Sequence, residues 1–132
     1  MSLQTLLEAP NITISYNHLE EWLLADWHGN QDLASVQHGG HEMLRLMQAQ
    51  RCHKILNDNT HVTSMWSEAA EWAGKVWFPL MAEAGLTHFA WVYSGNLYSR
   101  LSTDLTLQFT GISPVVSTFD DFETAKAWLL QL

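Results

Sequence analysis

Apolar and polar residues alternate over residues 11–16, where Ile12, Ile14 and Tyr16 are separated by polar neighbours. A period of two predicts a strand with one face on a core. Asn17-His18 reads as a tight turn. Leu19 to Trp27 then predicts a second strand, apolar on both faces at its end as an interior strand is, so the two form an N-terminal hairpin. From Gln31 to Gln50 the period changes, and Leu33, Val36, Leu44 and Met47 fall near one helical stripe. Gly39-Gly40 interrupts that helix at about 1 kcal/mol per glycine relative to alanine. Close packing against the sheet is the expected reason.

Farther along, His53 to Asp58 predicts a buried strand and Thr60 to Ser64 a loop. Ser64 is the expected N-cap of a helix reaching Ala84, with Trp66, Ala70, Ala73 and Trp77 on its apolar face. Pro79 lies inside it and is expected to kink or divide it. Thr87 to Tyr93 is a strand and Ser94-Gly95-Asn96 a turn. Leu97 to Phe109 is a helix with Leu97, Leu101, Leu105 and Phe109 at spacings of four. Val115 to Thr118 is a short last strand. Asp120 or Asp121 caps a final helix bearing Ala125, Trp128, Leu129 and Leu132. The order β-β-α-β-α-β-α-β-α requires crossovers between parallel neighbours. The fold class is therefore α/β, an open and mostly parallel sheet with one antiparallel edge from the hairpin. Residues 1–10 are expected to be peripheral and 11–132 to form one domain.

Composition narrows the function classes. The chain has 132 residues, 47% hydrophobic and 15% charged, which suits one globular domain and excludes disorder. Six basic against 14 acidic residues give a net charge of −8, the wrong sign for a general nucleic-acid binder. No apolar run is long enough to insert into a membrane, and Met1 to Pro10 has no basic n-region, so a cytoplasmic location is expected. A single cysteine, Cys52, excludes a disulfide framework and multi-cysteine zinc sites.

Three strings carry a family resemblance: K-I-L-N-D-N-T at 54–60, A-G-L-T-H-F-A-W-V at 84–92 and F-D-D-F-E-T-A-K-A-W-L at 119–129. With the element order, they resemble the STAS domains, and more closely the bacterial anti-sigma-factor-antagonist-like proteins grouped with STAS and CRAL-TRIO folds. The resemblance runs from about residue 11 to the end. It implies a STAS-like fold and a non-catalytic regulatory role through protein binding; some relatives bind nucleotides or lipids. It also implies a phosphoacceptor serine at the start of the helix after the third strand. Ser64, with Thr63 beside it, stands at roughly that place, without the family's Asp-Ser-Ser or Asp-Ser-Thr string. Asp58, Asn59, Thr60, Thr63 and Ser64 are the regulatory or ligand-loop candidates. Read locally, Ser64 is an ordinary N-cap and Asp58 a loop-capping carboxylate.

Other chemistry is thinner. His38 and His41 lie one helical turn apart with Glu42 alongside, but H-G-G-H-E lacks the spacing of a zinc-protease motif. A metal-dependent hydrolase using His38, His41 and Asp58 is the third reading. Cys52 and His53 are adjacent and point to opposite faces of a strand, which does not suit a nucleophile and its base. No nucleophile elbow and no phosphate loop occur, so no catalytic residue, metal or cofactor is expected. Seven tryptophans are the oddest feature. Trp66 and Trp72 cannot share one helix face fully, which makes them candidates for an aromatic surface or pocket. The leading expectation is a bacterial interaction module that pairs as a homodimer through Leu97, Leu101, Leu105 and Phe109, with a possible regulatory protein partner. The alternative is a small-ligand or lipid carrier with a Trp-lined pocket.

Overall fold

Strand pairing in the computed structural model, which describes residues 2–132, follows chain order. Six strands, β1 (Leu3–Glu8), β2 (Ile12–Asn17), β3 (Trp22–Gly29), β4 (Lys54–Val62), β5 (His88–Val92) and β6 (Val115–Phe119), form one sheet in the order β1-β2-β3-β4-β5-β6. The pairs β1/β2 and β2/β3 are antiparallel, and β3 to β6 are parallel. Each parallel step moves one strand over in the same direction. With a uniform crossover hand, the connecting helices must then share one face.

That is where they sit. Helix α1 (Leu33–Gln50) and the helical segment α2 (residues 67–83) cover β1 to β5 on one face, burying Met43, Met47, Trp77, Phe78 and Met81 against Ile14, Leu23 and Ile55. Helix α3 (Leu97–Phe109) packs on α2, outside this layer. Helix α4 (Phe122–Leu130) follows β6 onto the opposite face and buries Ala125 and Leu129 against Trp22, Leu56, Ala90 and Val92. Asp121 is its N-cap, accepting from the Thr124 N–H at 2.8 Å; that bond holds its carboxyl below the usual range.

Four expectations are corrected. The N-terminal segment expected to be peripheral is the edge strand β1. Its register with β2 slips between Thr5 and Leu7, which breaks the alternation a strand normally shows. The second hairpin strand starts at Trp22 rather than Leu19, because the Asn17 carboxamide accepts from the N–H groups of Leu19 (3.1 Å) and Glu20 (2.9 Å) and holds the intervening residues in a turn. The strand expected to end at Asp58 runs on to Val62, since β3 continues to pair with it past a bulge between Asp26 and His28. Ser64 is not an N-cap: the helical segment begins at Ser67 with no side-chain cap.

Segment α2 is a composite: a 3₁₀ turn at Ser67–Ala69, a helical turn at Ala70–Trp72, a π turn at Ala73–Trp77 and an α-helical end at Phe78–Glu83. Pro79 has no N–H to give the preceding turn and its ring crowds the carbonyl four residues back. The wider π turn ends just before it, with the Phe78 N–H bonding the Ala73 carbonyl. The proline thus divides the helix in register without ending it.

Candidate functional site

Two glycines and five tryptophans build an aromatic-lined concavity. Gly39 and Gly40 lie in mid-helix, where they weaken α1, and both face indoles. A Cβ on Gly39 would overlap the ring of Trp27, and one on Gly40 would stand 2.9 Å from Trp77 Nε1 and 3.1 Å from the outer ring of Trp72. The glycines therefore let tryptophans, rather than the sheet backbone, approach the helix. Trp77 Nε1 donates to the Gly40 carbonyl at 2.7 Å.

Below this contact lies a cavity of about 50 Å³, over the carboxyl-terminal half of β3, β4 and β5. Trp27, Trp66, Trp72, Trp77 and Trp91 line it. All are buried except Trp72, which is half-buried at the rim and meets the His41 ring edge-on at 5.5 Å. Trp66 stacks on Trp91 at 6.0 Å. The polar part comes from β4. With Ile55 in the core, the period of two points Asn57 and Asn59 inward, and both are buried. Trp27 Nε1 donates to Asn57 Oδ1 at 2.9 Å, and Asn57 Nδ2 donates to Asn59 Oδ1 at 3.1 Å. Trp91 Nε1 is buried without a partner among the described residues.

The loop candidates divide among three places. Asn59 faces the cavity. Asp58 and Thr60 turn the other way, and the Asp58 carboxylate accepts from the Thr60 N–H at 2.9 Å and from its hydroxyl. Thr63 and Ser64 tie the exit of β4 to the start of α1: Thr63 Oγ1 donates to Asn30 Oδ1 at 2.7 Å, and Ser64 Oγ accepts from the Gln31 N–H at 2.8 Å. Trp66 and Trp72 both line the cavity. His38, His41 and Asp58 do not converge, and among the described residues no group of three or more His, Cys, Asp or Glu is placed to hold a metal ion. Cys52 is buried, which pushes its thiol up to about 11 and leaves it unreactive near neutral pH.

Asn57, Trp27 and Trp91 were not singled out from the sequence. A signal was present for Asn57: a polar residue two positions after core-facing Ile55 on one strand demands a buried partner.

Helix α3 reverses the usual amphipathic arrangement. Its buried residues are Ser99, Ser102, Thr103 and Thr106, which pack on α2. Leu97 is 63% exposed and Leu101 52%, so this face is solvent-facing, while Leu105 and Phe109 are half-buried. The inner hydroxyls are largely satisfied locally. Ser102 and Thr106 each donate to the carbonyl four residues back, at 3.0 and 2.9 Å, and Ser99 Oγ accepts from Trp66 Nε1 at 3.1 Å. Their small size lets Gly74 of α2 come so close that an added Cβ would stand 2.7 Å from the Thr106 carbonyl oxygen.

An open, mostly parallel sheet in sequential order, three helices on one side and a last one on the other, defines a known class of α/β domain. The chain has a SpoIIAA-like, that is STAS-like, fold: it is similar across 96% of its length to 91% of an uncharacterised DUF3478-family protein with that fold from Shewanella loihica PV-4. The TM-score is 0.51 at 15% identity. No family model and no curated protein matches the chain.

Proposed function

We propose that this chain is a non-catalytic interaction module that pairs with a second copy of itself through the outer face of α3. The supporting observation is the reversed helix: leucines on the water side and hydroxyls on the core side. A helix that only needed to cover α2 gains nothing from exposed leucines at positions 97 and 101, whereas an interface does.

Charge favours a second copy as the occupant. The chain carries −8, so two copies repel in general. Helix α3 holds one arginine and one aspartate and is neutral. A twofold axis near residue 102 with the helices antiparallel brings Arg100 against the partner subunit's Asp104, and the reverse, which is the self-complementarity an isologous contact needs. Arg100 already stacks on Tyr93 at 4.1 Å and bonds Asp120 at 3.0 Å, and its guanidinium keeps further donors free.

Sedimentation equilibrium tests this. The wild-type chain is expected to fit a reversible monomer–dimer equilibrium, and Leu101→Glu, which places a charge at the centre of the contact without touching the core, is expected to weaken it by at least tenfold. Equal association of the two proteins overturns the proposal.

A further inference from the structure

We propose that the tryptophan-lined cavity is a binding site for a small uncharged molecule bearing a hydrogen-bond acceptor, of the class of ketones, esters and amides of a few non-hydrogen atoms. It is separate from the α3 face and does not rest on self-association.

The hydrogen-bond ledger of the lining sets the chemistry. Among the described residues no charged side chain lines the cavity, so an ion entering it would lose its hydration without a counter-charge. The three polar side chains of the wall are Gln31, Asn57 and Asn59. Their acceptor oxygens are in use. Asn57 Oδ1 takes the Trp27 indole N–H, Asn59 Oδ1 takes the Asn57 amide, and Gln31 Oε1 takes the Ser35 hydroxyl at 2.8 Å. The Gln31 amide nitrogen donates to the carbonyls of Asn11 and His28, at 3.3 and 3.0 Å. The donors left with no acceptor at all among the described residues include the Trp91 indole N–H, which is buried, and the Asn59 amide nitrogen. A ligand that brings an acceptor therefore meets a buried donor that has no partner, while every side-chain oxygen of the wall already has one donor.

The rest of the wall is apolar and aromatic, which suits the hydrocarbon part of such a molecule. Size sets the upper bound. About 50 Å³ is several times the ~10–15 Å³ one water needs by the same kind of measure and far below the ~300–1,000 Å³ of drug-sized pockets. A lipid chain does not fit this volume. The position agrees with the general placement of ligand sites near the carboxyl ends of parallel strands, and the rim is formed by residues that are not fully buried, Trp72 and Val36.

The probe is acetone, which has one carbonyl acceptor and no donor, with xenon as an apolar control. Each tryptophan gives one indole N–H peak in the ¹H–¹⁵N spectrum of the full chain, so the other indoles serve as internal references. Acetone is expected to move the Trp91 indole peak downfield and saturably, with half-saturation on the order of millimolar for so small a ligand. The Trp66 and Trp77 indole peaks, already bonded, should move much less. Trp91→Phe is expected to weaken acetone at least fivefold, read on the remaining indoles, while xenon still enters. Absence of a saturable Trp91 shift, as from a cavity that keeps only water, overturns the proposal. So does xenon binding where acetone does not. Should Trp91→Phe fail to fold, the wild-type titration decides alone.

Discussion

At the scale of single residues, Gly39 shows how a local cost marks a distant contact. Two mid-helix glycines ask for a reason, and the reason is the indole of Trp27, which arrives from β3 and is fixed by its bond to Asn57. That α1 must be approached closely was legible from its own sequence. The approaching group was not, because nothing local to a helix names its tertiary neighbour. Replacing Gly39 by Ala recovers about 1 kcal/mol of helix propensity and loses roughly 1–3 kcal/mol by overpacking a buried ring that is held by its bond to Asn57. The expected result is a lower urea midpoint for Gly39→Ala with an unchanged slope; a variant as stable as the wild type would show that the ring can yield. Asp26 poses a different residue-scale question. It lies beside Asp58 in the parallel β3/β4 pairing, with one carboxylate oxygen buried and unpartnered among the described residues, and burial, then Asp58, raises its pKa. The folded state thus binds this proton more tightly than the unfolded chain. Its contribution to stability is full below the ordinary carboxylate pKa and is lost as pH rises through the folded value. Asp26→Asn should therefore melt higher than the wild type at neutral pH, with the gap closing in acid. A gap that does not change with pH would contradict this.

At the scale of elements, one helix had legible bounds and an illegible orientation. The span Leu97–Phe109 is both the sequence reading and the observed α3, and its leucine stripe is real. Its direction was not legible from periodicity alone, since a helix usually buries its leucines. Two features permit the reversal: serine and threonine hydroxyls bond their own helix, which lowers the cost of burying them, and their small side chains let α2 approach at Gly74. Strand β1 was missed for the opposite reason. Its bulge puts Leu6 and Leu7 side by side and breaks the period of two. Pro79 signalled a division of α2, while the π turn before it leaves no distinctive residue pattern. The exposed stripe carries the functional reading at this scale, and Leu101→Glu is its test because position 101 is on the water side and contributes to no core.

At the scale of the whole molecule, the mostly parallel sheet with an antiparallel edge followed from element order, and its STAS-like character from three short strings; the likeness to a SpoIIAA-like structure at 15% identity agrees with both. Sequential strand order is what leaves α3 outermost: three crossovers share one face, so the third packs on the second and shows its far side to water. Net charge acts at this scale too. With −8 over the chain and a neutral α3, a contact made through this helix brings no net like charge of its own into the interface. Two copies are proposed to meet at that face, and a single engineered cysteine reads out whether they do. Leu101→Cys, oxidised at micromolar protein concentration, is expected to yield a disulfide-linked dimer, with buried Cys52 taking no part. Leu19→Cys, at a 74%-exposed position in the turn between β2 and β3, is expected to remain monomeric under the same oxidation. Equal cross-linking at both positions, or none at position 101, would contradict the account.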